Sequence, residues 1–208
     1  NGSIRIIDQP FIDFSGLHCH EHRLVAIASS SLISEGIFEL DLLDKTWKHT
    51  SASSLRLSPA EISIGESFWF IGSNENNVHA WYYPPLQNQR NLPPLLVKSH
   101  SGPTGMACCG LDLEIQFWTS RGWAVVDVNY GGSSGFGRKY RDRLRGNWGV
   151  VDVEDCTKAA QVLIASNKAN KDCIAIMGSS ASGFTALGCL LSTDVFKIAA
   201  CKYAVTDL

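Results

Sequence analysis

Four short apolar runs, separated by polar and glycine-rich stretches, dominate the second half of the chain. Amphipathic segments lie between them, such as the one with Leu111, Ile115 and Trp118 at helical spacing, and these segments predict helices. Runs that are apolar on both faces and alternate with helices are typical of a mostly parallel sheet, so the pattern predicts an α/β fold. The runs are LLVKSH from residue 95, WAVVDVN from 123, CIAIMG from 173 and IAACKYAV from 198.

The beginning of the chain has a different pattern. GIFELDLLDKTWKHT, from residue 36, alternates apolar and polar residues, turns and resumes, which is typical of a β-meander like one blade of a propeller. A single blade of about 50 residues buries too little surface to stand alone, so it requires neighbouring blades. We therefore predict an all-β segment over residues 1–57, resembling the last blade of a β-propeller. An incomplete α/β-hydrolase-type domain is predicted over residues 58–208.

Composition excludes several classes of partner. The chain has 208 residues, 45% hydrophobic, with a net charge of −2, and carries no basic patch of the kind that binds nucleic acid. No apolar run approaches the roughly 20 residues of a membrane span, and no leader-like segment opens the chain, so no membrane partner is expected. Seven cysteines without a Cys-x-x-Cys pair favour reduced thiols and a cytoplasmic location.

Two motifs suggest cofactor or metal binding but favour simpler interpretations. YGGSSGFGRKY, from residue 130, lacks the spacing of a nucleotide-binding loop, so no cofactor is expected. His18, His20 and His22 fall on one face of an extended strand, where an exposed polar strand is favoured over a metal site because no suitable further ligand follows.

The stretch CIAIMGSSASGFTALGCLL, from residue 173, predicts a strand, a tight turn of small residues and an apolar helix. A serine at the apex of such a turn exposes its hydroxyl, and the turn requires small residues two positions before and after it. Only Ser180, between Gly178 and Ser182, meets this requirement, so it is the candidate nucleophile. A serine-rich helix cap is the alternative, but His100, Tyr130 and Ser180 all follow strand ends, where ligand sites of parallel sheets lie.

Several of these stretches resemble the prolyl oligopeptidase family of serine peptidases, in particular its acylaminoacyl-peptidase and dipeptidyl-peptidase-like members. The matching stretches are PPLLVKSHSGPTG, EIQFWTSRGWAVVDVNYGGSSGFGRKYRDRLRGNWGVVDVEDC, IAIMGSSASGFTAL and VFKIAACKYAVTDL, which together span most of residues 93–208. The resemblance implies a propeller followed by an α/β-hydrolase domain, and a peptide substrate hydrolysed by acyl-enzyme chemistry.

The resemblance also implies roles for individual residues. It places the nucleophile at Ser180 and one oxyanion-hole donor at the backbone N–H of Ala181. The family's His-Gly-Gly-Pro loop falls on residues 100–103, with Gly102 as the favoured second donor and Ser101 beside it. His100 and Tyr130 are expected to be structural residues near the site, and Asp207 a structural or substrate-contacting residue.

The sequence departs from the family in four ways. Ser101 and Ser182 replace glycines, which adds a Cβ where backbones crowd, and Gly131 stands where many relatives have arginine. No histidine follows Ser180, because the last is His100, so the triad acid and base are expected in a later segment.

These departures lead to several expectations and leave the function open. We expect a fragment that is inactive alone, with an apolar edge strand that makes it poorly soluble or a homo-oligomer. A non-catalytic peptide- or partner-binding relative and an esterase of the same fold remain alternatives.

Overall fold

The computed structural model describes residue 4, residues 6–87 and residues 91–207. It contains two compact units, Asn1–Ile64 with Cys108–Gln116, and Gly65–Ala107 with Phe117–Leu208. These units are defined by packing, whereas the boundary predicted between residues 57 and 58 separates two fold classes, so that boundary stays a prediction.

The first unit contains a four-stranded antiparallel sheet in sequential order. Its inner face packs Phe11, Ala28, Phe38 and Leu40 into a small core, while most of β1 is exposed. The predicted meander is therefore confirmed. Its strands are β1 (Asp13–His20), β2 (Arg23–Ser29), β3 (Gly36–Asp41) and β4 (Trp47–Ser51).

The second unit contains a six-stranded mixed sheet, whose strand order is β10-β9-β7-β8-β6-β5. Pairing is parallel from β10 to β8 and antiparallel from β8 to β5. The predicted α/β class with a mostly parallel sheet is confirmed. The strands are β5 (Glu66–Ile71), β6 (Asn77–Tyr83), β7 (Leu95–Ser99), β8 (Ala124–Asn129), β9 (Ile174–Ser179) and β10 (Ile198–Lys202).

The helices are α1 (Leu113–Thr119), α2 (Arg138–Arg141), α3 (Val151–Ala165) and α4 (Ala181–Ser192), with 3₁₀ turns at Pro59–Glu61, Ser73–Glu75 and Asp142–Leu144. In α3 Val153 is buried, whereas Val150, which immediately precedes the helix, is 61% exposed. None of the helices in the described part of the chain has the length and apolarity that a membrane crossing requires.

One face of the mixed sheet is covered by α3 and α4. Leu95 and Val97 of β7, with Ile174 and Ile176 of the adjacent β9, project into a continuous core with these helices. Each fully buried side chain of this kind contributes about 1.5–3 kcal/mol. The core therefore fixes the carboxyl ends of β7 and β9, from which the candidate site residues extend.

The edge strand β10 is largely exposed, as the sequence predicted. Ile198 is 61% exposed, and Tyr203, just after the strand, is 79% exposed. Uncovered edges of this kind favour association with other chains, so the expected homo-oligomer stays a prediction.

Candidate active site

Ser180 lies at a sharp bend between a strand and a helix. β9 ends at Ser179 and α4 begins at Ala181, while Ser180 itself has φ 52° and ψ −119°. A residue other than glycine occupies this region of φ/ψ space only where surrounding structure enforces it. The bend therefore has the strained backbone that the sequence predicted for the apex serine.

Backbone hydrogen bonds enforce the bend. The Ser180 N–H donates to the carbonyl of Lys202 at 3.0 Å, while its own carbonyl accepts from Gly183 at 3.1 Å and from Val205 at 3.0 Å. Two of these partners lie in or just after β10. The edge strand is thus part of the support that holds Ser180 in its strained conformation.

Ser180 and Ser182 have different surroundings. Ser182 is fully buried, and its hydroxyl accepts from the N–H of Ser179 at 2.8 Å and donates to the carbonyl of Ser179 at 2.9 Å. Ser180 is partly exposed, and its hydroxyl has no hydrogen-bond partner among the described residues. Of these two hydroxyls, that of Ser180 is the one available to react.

Glycine is required two positions before the apex. A Cβ at Gly178 would lie 2.1 Å from the carbonyl oxygen of Ser182 and 2.9 Å from the backbone nitrogen of Gly183. Neither atom can move without moving the first turn of α4. The close approach of the α4 backbone therefore explains why this position requires glycine and not merely a small residue.

The loop that begins at His100 follows the strand next to β9. β7 and β9 are parallel neighbours, with Lys98 paired to Met177, so both strands end at the same edge of the sheet. The N–H of Ala181 opens α4 and has no acceptor within the helix. Gly102 is exposed, with φ 126°, and a Cβ there would lie 2.8 Å from the nitrogen of Gly105.

The serines that replace family glycines are accommodated without backbone strain. Neither Ser101 nor Ser182 adopts a positive φ, so the cost of a left-handed conformation does not arise. The hydroxyl carried by the Cβ of Ser182 makes two hydrogen bonds to the backbone of Ser179.

His100 is held on both ring nitrogens. Its Nδ1 lies 3.0 Å from the carbonyl oxygen of Ser101, its Nε2 lies 2.6 Å from the hydroxyl of Ser133, and its ring stacks on Tyr130 with 4.4 Å between centroids. Burial lowers the pKa of His100, and the bond to the Ser101 carbonyl offsets part of that shift. These contacts agree with a structural histidine and leave no ring nitrogen for a proton from Ser180.

Tyr130 and Asp207 have opposite environments. Tyr130 is fully buried, and its hydroxyl lies 3.1 Å from the carbonyl oxygen of His100 and 2.7 Å from that of Pro103. Burial raises its pKa well above the usual range of tyrosine, so the hydroxyl stays protonated. Asp207 is exposed, without a hydrogen bond or ion pair to any described residue, and its role stays a prediction.

Sequence reasoning missed two buried carboxylates that support the site region. Asp152 accepts from the N–H of Gly149 at 2.6 Å and from the Thr185 hydroxyl of α4 at 2.5 Å. Asp155 accepts from the N–H groups of Ser73 and Gly131, both at 2.7 Å. Burial raises the pKa of both carboxyls. Their only signal in the sequence was their position three residues apart in the run Arg145–Cys156.

Of the three clustered histidines, His18 and His20 lie on β1 and His22 lies in the turn that follows it. His22 lies 3.5 Å from the carboxylate of Asp41, whereas His18 and His20 lie on the exposed strand. Among the described residues, no group of three or more His, Cys, Asp or Glu side chains could hold a metal ion.

The mixed sheet with a strained serine where a strand meets a helix is the arrangement of the α/β-hydrolase fold, as found in serine hydrolases. Comparison with known proteins indicates the family. The sequence model described as "Prolyl oligopeptidase family" matches residues 110–208. Residues 110–208, just under half of the chain, are thus similar to this family of peptidases.

Three relatives illustrate the similarity. A puromycin-hydrolyzing peptidase of Mycobacterium tuberculosis is 36% identical over 97% of this chain and 32% of its own, with a TM-score of 0.93. A puromycin hydrolase is 38% identical over the same shares, with a TM-score of 0.89. The acylamino-acid-releasing enzyme of Arabidopsis thaliana is 28% identical over 75% of this chain and 21% of its own. The chain thus spans about a third or less of these relatives.

Proposed function

We propose that Ser180 is the nucleophile of a serine peptidase that hydrolyses short peptides through an acyl-enzyme. The observation that carries this proposal is the strained backbone of Ser180, held between β9 and α4 at the sheet edge from which the His100 loop also extends. A hydroxyl held in this way is exposed to a substrate above the sheet edge. The similarity of residues 110–208 to a peptidase family supports the amide bond as the target.

The proposed reaction has two steps. The Ser180 oxygen bonds to the substrate carbonyl carbon as its proton moves to a general base, and the amine leaves after accepting that proton. Water then attacks the acyl-enzyme and restores the serine. Backbone N–H groups of Ala181 and Gly102 are proposed to donate to the oxyanion, and such donors contribute about 2.7–4 kcal/mol each.

We infer that the general base lies outside these 208 residues. No histidine follows Ser180 in the sequence, and both ring nitrogens of His100 are occupied. Loss of the base alone reduces the rate of such enzymes by several orders of magnitude. The chain is accordingly proposed to be inactive alone and active within a complete protein that supplies the base and its acid.

The substrate class is proposed from the relatives. They include puromycin hydrolases, one solved as an alanine variant complexed with PGG, and dipeptidyl peptidases such as dipeptidyl-peptidase 5 of Aspergillus fumigatus. We infer that the complete protein cleaves amide bonds next to aminoacyl or short peptidyl groups. All seven cysteines are free thiols, which supports a reducing compartment such as the cytoplasm.

The test is active-site labelling of the complete protein with a fluorophosphonate probe, followed by peptide mapping of the modified residue. We expect labelling at Ser180, its loss in Ser180→Ala, and its retention in the matched control Ser179→Ala. A folded complete protein that remains unlabelled, or is labelled elsewhere, contradicts the proposal and favours a non-catalytic binding protein.

Turnover of matched substrates then distinguishes a peptidase from an esterase. Aminoacyl and dipeptidyl p-nitroanilides, together with puromycin, test amide cleavage, and p-nitrophenyl esters of the same acyl groups test ester cleavage. We expect amide turnover that disappears in Ser180→Ala. Ester turnover without amide turnover would contradict the peptidase assignment.

A further inference from the structure

The carbonyl oxygens of the loop His100–Gly105 are held from one side. The Tyr130 hydroxyl contacts those of His100 and Pro103, and the His100 ring contacts that of Ser101. Ser134 donates its hydroxyl to Thr104 and its N–H to Gly105. Apart from His100 itself, all these donors lie in the segment of residues 130–134 that follows β8, so this segment anchors the loop.

A hydrogen bond to a carbonyl group also fixes the direction of the N–H group in the same peptide unit. In a trans peptide unit the C=O of one residue and the N–H of the next lie in one plane and point in opposite directions. The Ser101 carbonyl shares its peptide unit with the N–H of Gly102. The hydrogen bond from His100 Nδ1 to this carbonyl therefore sets the direction of the Gly102 N–H.

The Ser101 carbonyl determines which nitrogen of His100 carries the proton, and Ser133 holds the opposite side of the ring. A carbonyl oxygen can only accept, so the contact with Ser101 requires a proton on Nδ1. In the neutral ring, which burial favours, Nε2 is then an acceptor and lies 2.6 Å from the Ser133 hydroxyl. Ser133 is fully buried and also donates to the carbonyl oxygen of Tyr130 at 2.8 Å, so its single hydroxyl proton is shared between this carbonyl and Nε2, and the two contacts together hold Ser133 against the ring.

We propose that Ser133 and Tyr130 are positioning residues for the oxyanion hole, acting through His100 and the loop carbonyls on the N–H groups of Ser101 and Gly102. Ser133 fixes the orientation of the His100 ring through Nε2. Tyr130 holds the His100 carbonyl, which shares its peptide unit with the Ser101 N–H, and stacks against the ring. This inference rests on the proposed function of the site.

The experiment compares Ser133→Ala and Tyr130→Phe with the unaltered complete protein. Neither variant changes a group proposed to touch the substrate. Because a misplaced oxyanion donor acts in the transition state, we expect kcat to fall about 10- to 100-fold while KM stays within about 3-fold. Ser134→Ala is the matched control. It removes a hydroxyl from the same segment, but this hydroxyl binds the carbonyl of Thr104. That carbonyl does not share a peptide unit with the N–H of Ser101 or Gly102, so kcat should stay within about 2-fold.

A spectroscopic readout separates positioning from general destabilisation. Nitrogen NMR of the complete protein labelled at histidine, with the His100 signals assigned by their loss in His100→Gln, reports the tautomer. We expect a slowly exchanging Nδ1 proton in the unaltered protein and in Ser134→Ala. In Ser133→Ala this proton should exchange at least about 10-fold faster, because the ring has lost its partner at Nε2.

The outcomes distinguish this inference from the proposed function. A complete protein that is not labelled at Ser180 refutes the proposed function. A labelled protein whose Ser133→Ala and Tyr130→Phe variants keep full kcat refutes the positioning role and leaves the nucleophile assignment intact. An unchanged Nδ1 signal in Ser133→Ala refutes the role of Ser133 in holding the His100 ring, even if kcat falls.

Discussion

Replacing Gly178 by alanine should misplace the nucleophile. The added Cβ would lie 2.1 Å from the Ser182 carbonyl oxygen, whereas Cβ contacts under 3.0 Å essentially do not occur. The first turn of α4 or the end of β9 must therefore move by about 0.9 Å. The contacts are with backbone, so a rotation of a side chain cannot relieve them.

A displacement of this size has consequences for rate and for stability. A misplacement of about 1 Å in an active site can cost about 100-fold in rate, and overpacking in a core typically costs about 1–3 kcal/mol. We expect Gly178→Ala in the complete protein to react with the fluorophosphonate probe about 100-fold more slowly. Urea unfolding should show a loss of about 1–3 kcal/mol.

Gly188→Ala is the matched control, because it is also a glycine-to-alanine change and Gly188 lies within α4. Its Cβ would meet a side-chain methyl group of Val153 at 2.7 Å, which can shift. Alanine also gains about 1 kcal/mol of helix propensity over glycine, which offsets that crowding. If Gly178→Ala is labelled as fast as Gly188→Ala and is equally stable, the argument from backbone approach is wrong.

Two further predictions concern other hydrogen bonds of the second unit. Ser182→Gly, which restores the glycine common in the family, should lower the free energy of unfolding by about 2 kcal/mol. Two backbone groups of Ser179 lose their hydrogen-bond partner, and a helix gains a glycine. Equal stability of the two proteins in urea would contradict this prediction. His79 accepts from the Asn129 amide at Nδ1 and contacts Ser67 at Nε2, and burial lowers its pKa. The unfolded chain thus binds the proton first, and stability should fall as pH drops below about 6.5. His79→Gln should reduce that slope by up to about 1.4 kcal/mol per pH unit, and an unchanged slope in urea unfolding between pH 7 and 5 would refute the assignment.

Much of the second unit could be predicted from the sequence because its inner strands are buried on both faces. Runs that must be apolar at every position are distinguishable from amphipathic helices, and β8 and β9 appear close to their predicted bounds. Ser180 could be identified because its bend constrains neighbours that are close in sequence. The family resemblance added the His100 loop, which no local pattern had specified.

The support of the site could not be predicted in the same way. The contacts of Ser133 with His100 join residues 33 positions apart, and the contact of Thr185 with Asp152 spans the same separation. In the sequence, Ser133 is one small residue in a glycine-rich connection. Its role depends on the parallel pairing of β7 and β8, which brings together the segments that follow these strands. The order of strands in a sheet cannot be predicted from the sequence of any one strand.

The two small residues that flank Ser180 prove to be required for different reasons. Gly178 faces the backbone of Ser182, where a Cβ cannot fit. The position of Ser182 accepts a side chain, and the hydroxyl there binds the N–H and the carbonyl of Ser179. The departure from the family pattern thus lies at the flank that tolerates a Cβ, whereas the flank that excludes one keeps its glycine. A serine at residue 182 is therefore compatible with a nucleophile at Ser180, and we expect this asymmetry wherever the same bend carries a small hydroxyl residue after its apex.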